Sequence, residues 1–170
     1  PLCCDTTIKQ ILDQGSPRIS GERLPQGTIT SEFIKLVDSQ PDALAVSDMN
    51  GSFTYKKLDE RARGLAKELK SLGVVPGDRV AIFIPRGRDW PVAMLAILYT
   101  CASFVPIDMN SAKERNNLIL EDADVRCVIV CDKQSSSLIS KTIGRLYLDE
   151  VDLDLNVPRS DFPVGDKSDV

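Results

Sequence analysis

Arg86, Arg88 and Asp89 crowd together just after the apolar run Val80 to Ile84, at what reads as the C-terminal end of a strand. Sheets of α/β proteins tend to meet their ligands at such ends, so the two guanidinium groups could grip an anion. A helix cap with solvated charges around it is the simpler reading, and the one adopted here. Asp108 closes a second extended segment and has the chemistry of a general base. The sequence has no histidine, which removes the Ser-His-Asp and Cys-His routes and the commonest metal ligand. Any chemistry would fall to carboxylates, Lys, Arg, Tyr or backbone groups. Of the five cysteines, Cys3 and Cys4 are adjacent near the start, and Cys101, Cys127 and Cys131 lie in expected core elements. Their spacings match no zinc or CxxC redox pattern, so they read as buried, reduced thiols. Neither GxxxxGK[ST] nor GxGxxG occurs. The residues therefore nominate no catalytic group, no cofactor-binding residue and no metal ligand.

The elements that would position these groups are legible. Val80 to Ile84, stopped by Pro85, reads as a strand buried on both faces. Asp89 is placed to cap a helix whose first turn tolerates Pro91, and Trp90 to Cys101 is apolar almost all round, as an interior helix is. Trp90 belongs to the core on this reading. Ser103 to Ile107 returns as a strand, with Pro106 suited to a strand end or a sheet edge, which completes a βαβ unit with parallel neighbours. Upstream, Thr30 or Ser31 starts a helix ending before Pro41. Ala43 to Val46 and Ser52 to Thr54 form a hairpin whose turn relies on Asn50 and Gly51 accepting positive φ. Thr54 caps a long helix with Leu58, Ala62, Leu65, Leu69 and Leu72 on its apolar face and Gly73 as its stop, while Glu60, Arg61, Arg63, Lys67 and Glu68 form its wet face. Downstream, Ser111 and Glu114 have capping-box spacing ahead of a helix to about Asp122. Arg126 to Cys131 is a further buried strand, Gln134 to Thr142 a short helix, and Arg145 to Leu148 a last strand.

At 170 residues, with 42% hydrophobic and 27% charged residues, the chain has room for one domain with a real core plus tails. Its net charge of −4, with acids and bases interspersed, disfavours a nucleic-acid binder. No stretch is long and apolar enough to span a membrane and no leader pattern opens the chain, so a cytoplasmic location is expected. We divide the sequence into a Gly, Pro and Ser-rich linker at 1–29, an α/β portion at 30–148, and an acidic loop or disordered tail at 149–170. The fold class is α/β, with a mostly parallel sheet and helices on both faces.

With the elements in that order, residues 30–170 resemble the first part of an amino-acid adenylation domain of the nonribosomal peptide synthetase type, within the acyl-adenylate-forming, AMP-binding family. Pro41 to Val46, PDALAV, is followed by FTYKKLDERARGLAKELKSLGVVPGDRVAI, which is similar to the family's LTYxELNxxAxxLAxxLxxxGVxxGDxVAI. MLAILYTCASFVPID at Met94 to Asp108 is similar to LLAxLKAGxAYVPLD, and ERNNLILEDADVRCVIV at Glu114 to Val130 to ERLxxxLxDxxxxxxL. The departures are Lys57 for a usual Glu, Tyr99, Thr100 and Cys101 for Lys-Ala-Gly, and Met109 for Pro. Because Cys101 stands where Gly normally ends the helix, a different turn is expected there. In the resembling family the aspartate at Asp108 belongs to a structural motif.

The resemblance implies ATP and magnesium as cofactors of a complete parent enzyme and a carrier-protein phosphopantetheine thiol as acceptor. It also implies a TSGTTGxPKG phosphate loop, which would be about to begin where this sequence reads KSDV. The adenine, ribose and carboxylate contacts of the family lie later still. We therefore expect no cofactor bound by this chain and no adenylation by it alone. The alternative is a catalytically empty module that docks beside a condensation domain, and the ISGERLPQGT segment resembles the connector that precedes adenylation domains in either case. A generic nucleotide-binding module is disfavoured because no Gly-rich strand-to-helix turn exists. Expected partners are the remainder of the adenylation domain, condensation or carrier-protein domains, or a second copy of the chain, with no nucleic acid and no membrane.

Overall fold

A computed structural model describes residues 27–137, 139, 143–151, 153 and 155–162. Cys3, Cys4, the ISGERLPQ part of the connector and the last eight residues lie outside that set. In chain order the elements are α1 (Ile29–Ser39), β1 (Leu44–Asp48), β2 (Gly51–Thr54), α2 (Tyr55–Ser71), β3 (Arg79–Phe83), α3 (Asp89–Tyr99), β4 (Ser103–Pro106), α4 (Lys113–Asp122), β5 (Cys127–Val130), α5 (Lys133–Ser136), β6 (Gly144–Tyr147) and a 3-10 turn at Arg159–Asp161.

Two sheets result. β1 and β2 pair antiparallel as a hairpin, and the main sheet runs β4-β3-β5-β6 with every neighbouring pair parallel. Its strands alternate cleanly. Val80, Ile82, Ile84, Cys127, Ile129 and Leu146 point to the face covered by α2 and α3, and Ala81, Phe83, Val128 and Val130 point to the face covered by α4. The α/β class, the parallel sheet and the helices on both faces are as the pattern of apolar runs requires. Pro106 sits on edge strand β4, where a missing N–H leaves no gap in the ladder.

Several local expectations need correction. The first helix begins at Ile29, because Thr28 is the cap and its hydroxyl accepts the Ser31 N–H at 3.2 Å. In the hairpin only Gly51 takes positive φ, at 130°, while Asn50 donates its N–H to the Asp48 carboxylate at 2.8 Å. Asp89 does not cap α3. It is the first helical residue, and Arg88 holds the cap position without a side-chain bond. The Ser111 and Glu114 capping box does not form: the cap position falls on Ala112, and the Ser111 hydroxyl instead turns to the Asp108 carboxylate at 3.4 Å. The short helix near Gln134 starts at Lys133, after Asp132 has accepted the Ser135 N–H at 2.7 Å, and its described part ends at Ser136.

Thr54 does cap α2, accepting the Lys57 N–H at 3.2 Å, and Gly73 at φ 82° ends that region as expected. At the end of α3 the expected change of turn is not found. Cys101 takes the left-handed conformation, φ 57°, that glycine would take, and its N–H and that of Ala102 bond back to Leu98 and Ile97 at 3.0 and 3.3 Å. The handedness of the turn is kept and the strain falls on a residue with a Cβ.

Burial also departs from the sequence pattern. Cys127 is buried, whereas Cys101 and Cys131 are only half-buried. Trp90 packs against the edge of the core, half-buried, and its indole N–H donates to the Ile84 carbonyl at 3.3 Å. On α2 the wet face is narrower than expected, since the Arg63 side chain is 13% exposed and pairs with a buried carboxylate.

Candidate functional site

The strand order places a switch point between β3 and β5. From β3 the chain crosses over α3 to β4 on one side, and from β4 over α4 to β5 on the other side of β3. At the carboxyl ends of these two strands the crossovers diverge and leave a crevice, the place where ligands meet open α/β sheets. The crevice here is a cleft of about 330 Å³. Ile84, Val92 and Leu148 line its apolar part, and Arg61, Asp89 and Asp149 stand among its polar groups.

Arg86 and Asp89 line this cleft, whereas Arg88 does not and is held behind it by the hairpin. Arg88 is an internal clamp. Its backbone N–H donates to the Asp48 carboxylate at 3.0 Å, its guanidinium donates to the Asn50 carbonyl at 2.6 Å, and the same group lies 4.9 Å over the Phe53 ring. Asp48, on the hairpin, receives Arg88 and Asn50 together. The Arg88 N–H above all holds the Asp48 carboxyl below its ordinary value, with the Asn50 and Gly51 amides and the Arg88 charge adding to the effect against some desolvation. A side chain at either of two glycines would displace a member of this clamp: a Cβ on Gly51 would lie 2.4 Å from the Arg88 guanidinium, and one on Gly87 would lie 2.8 Å from the Asp48 carboxylate.

Asp89 faces Arg61 at 3.7 Å, and Arg61 in turn lies 5.1 Å over Phe53. Only Arg86 is exposed, with its guanidinium 5.5 Å above Trp90. Asp108 is engaged in its own loop: its carboxylate accepts the Asn110 N–H at 2.9 Å and the Ser111 hydroxyl, while its carbonyl accepts the buried Asn116 amide at 3.0 Å. That geometry closes the β4–α4 turn and presents no base to the cleft. Among the described residues, no group of three or more Cys, Asp or Glu is arranged to hold a metal ion.

A second polar centre was missed from the sequence. Asp59, 1% exposed, accepts the Tyr99 phenol at 2.6 Å, the Arg63 guanidinium at 3.2 Å and the Arg159 guanidinium at 3.0 Å. Burial, followed by the hydrogen bond to Asp59, pushes the Tyr99 phenol far above its usual range. The available signal was an acid on the apolar stripe of α2, between Leu58 and Ala62. Arg159 has no local signal, because it reaches Asp59 across 100 positions of sequence.

With this architecture in view, comparison with known proteins is decisive on family. The family model described as AMP-binding enzyme matches residues 33–166, and the chain belongs to that family. It is 30% identical over 133 residues to a dimodular nonribosomal peptide synthase of Bacillus subtilis (strain 168), a match covering 78% of this chain and 6% of that protein. It is 33% identical over 126 residues to the phenyloxazoline synthase MbtB of a Mycobacterium species (strain MCS), covering 74% and 11%. Among solved structures, the N-terminal subdomain of Klebsiella oxytoca NpsA in complex with 3-hydroxyanthranilyl-AMSN superposes with a TM-score of 0.72 at 26% identity, over 84% of this chain and 36% of that one. Holo-AB3403, a four-domain nonribosomal peptide synthetase bound to AMP and glycine, gives 0.74 at 26% identity, over 82% and 10%. The chain corresponds to the N-terminal part of a nonribosomal peptide synthetase adenylation domain, and it spans 6% and 11% of the two curated relatives named here.

Proposed function

We propose that these residues form the opening portion of an amino-acid-activating adenylation domain, which makes an aminoacyl-adenylate from ATP and passes the acyl group to a carrier-protein phosphopantetheine thiol, and that the 170-residue polypeptide does not catalyse this step by itself. The observation that carries the reading is the family match over residues 33–166 in a chain with no phosphate-gripping loop. Adenylyl transfer depends on positioning and charge stabilisation of the phosphates, so a chain lacking that cradle has little to work with.

The switch-point cleft does not fit a triphosphate and its magnesium. In the β3–α3 turn the Arg88 N–H is already taken by Asp48 and the Trp90 N–H by the Gly87 carbonyl, so neither of these amides is available to a phosphate. The three carboxylates of Asp48, Asp89 and Asp149 outnumber the two guanidinium groups of Arg61 and Arg86 in its lining, which does not favour polyphosphate. ATP and magnesium therefore belong to a complete parent enzyme, held by residues other than these.

Partner chemistry follows from what the sheet leaves open. The outer edge of β6 pairs with no strand among the described residues, and the α4 face buries fewer side chains than the opposite one, leaving Val105, Met109 and Tyr147 half-buried. Such a face and edge suit the remainder of the adenylation domain. The solved structure of NpsA-ThdA, an artificially fused adenylation–PCP di-domain from Klebsiella oxytoca, supports carrier domains as further neighbours. The same open edge also supports the docking-module reading, in which the unit serves as a structural neighbour of a condensation domain. The free thiols of Cys101, Cys127 and Cys131 suit a reducing compartment, the cytoplasm.

An ATP-pyrophosphate exchange assay tests the reading. The purified 170-residue chain is expected to show no exchange with any amino acid, and a version extended through the phosphate loop and later motifs is expected to show it. Turnover by the short chain would overturn the proposal. An extended reading frame without those motifs would favour the docking module.

A further inference from the structure

Residues 157–162 lie beyond the last strand, yet they are tied to the helical layer. Val157 and Phe162 are 3% and 6% exposed, and the Phe162 ring stacks on Tyr99 with centroids 5.8 Å apart and planes at 26°. Lys70 on α2 donates to the Asp161 carbonyl at 2.6 Å and places its ammonium 4.5 Å over the Phe162 ring. Between these anchors Arg159 reaches Asp38 on α1 and Asp59 on α2. The ring and polar contacts named here all end on α1, α2 or α3.

We propose that residues 157–162 form a strap that closes as one cooperative unit over the buried Asp59–Tyr99 pair and opens without unfolding the sheet beneath. The strap and the pair need each other. A carboxylate removed from water is costly unless paired and hydrogen-bonded, and two of the three donors to Asp59 bind the oxygen that Arg159 shares with Arg63. Phe162 shields the Tyr99 ring on one side, and Lys70 holds Phe162 in place. Loss of one anchor therefore loosens the others. Val157 and Phe162 share the buried cluster of the α2 and α3 side with one face of the sheet, but the other face has a separate core, in which Ala81, Phe83, Val128 and Val130 are fully buried with Leu120 and Val125 and no strap residue takes part. A short segment with two apolar anchors, over a core with its own packing, belongs to the low-stability end of a protein's local opening reactions. When the strap is shut, the depth of Tyr99 and its bond to Asp59 keep the phenol protonated; when it opens, water and reagents reach it.

Nitration by tetranitromethane at pH 8, followed residue by residue by peptide mass spectrometry, measures this opening in the 170-residue chain. Tyr55 and Tyr147, both half-buried, serve as internal references. In the parent sequence Tyr99 is expected to react at least about tenfold more slowly than either reference. Arg159→Leu and Phe162→Ala are each expected to bring Tyr99 to the reference rate with unchanged far-UV circular dichroism, and the double variant is expected to add nothing to the larger single effect. Continued protection of Tyr99 in either single variant would overturn the proposal. So would exposure accompanied by loss of helical signal, or effects that sum in the double variant.

Discussion

Cys101 holds a backbone angle, φ 57°, that residues with a Cβ adopt at a cost, and it does so where α3 must turn back into β4. Ala102 is buried immediately after it, and the Cys101 carbonyl accepts the Gly77 N–H at 2.9 Å, so the turn is fixed from both sides. Cys101→Gly removes the clash between Cβ and backbone and is expected to stabilise the chain by about 1 kcal/mol, read as an increased urea midpoint at unchanged slope. Cys101→Val, with a branched Cβ in the same angle, is expected to move the midpoint the other way. Cys127 illustrates the opposite situation. Burial pushes its thiol up to about 11, so it has little thiolate for alkylation at neutral pH. The two cysteines have the same side chain and differ only in what surrounds them, which local sequence does not state.

Among elements, the hairpin and the β3–α3 turn behave as one unit. Asp48 accepts N–H groups from both, and Arg88 returns the contact to Asn50, so the β1–β2 tip is locked over the switch-point cleft. This lock titrates. Because the folded chain holds the Asp48 carboxyl below its unfolded value of about 3.9, its contribution is fully present above that value and is lost as pH falls through the lower folded value. Urea unfolding at pH 6 and at successively lower pH down to 2.5 is expected to show a steeper loss of stability in the parent than in Asp48→Asn below about pH 4. Equal slopes would mean that the carboxylate does not support the hairpin. Periodicity alone located nearly all of these elements, since apolar repeats at helical spacing or in continuous runs report burial directly. Caps are less legible in local sequence. Asp89 and Ser111 are good capping residues by type, but each found a closer partner, Arg61 for the first and Asp108 for the second. Side-chain competition of that kind is decided in three dimensions.

For the whole molecule, the β6 edge, unpaired among the described residues, and the thin α4 face set the expectation. Leu118 on α4 is 65% exposed, and Val105, Met109 and Tyr147 are only partly covered on the same side of the sheet. The isolated chain is expected to self-associate or to bind a hydrophobic dye, and light scattering that shows a monodisperse monomer with little dye binding would contradict an incomplete face. Apolar patterning gave the order of strands and helices, and the resemblance in the PDALAV, FTYKKLDERARGLAKELKSLGVVPGDRVAI and VPID stretches was enough to identify the family. These properties are written locally, in residue type and spacing along one element. Which charges would be buried was not. Arg63 was indistinguishable from its wet neighbours until Asp59 was seen to lie inside the helical layer, and Arg159 acquired a role only because the chain returns across 100 positions to meet it. Helical spacing states which residues share a face, but the packing of α1, α2 and α3 determines what that face meets, and therefore which polar groups must find partners away from water.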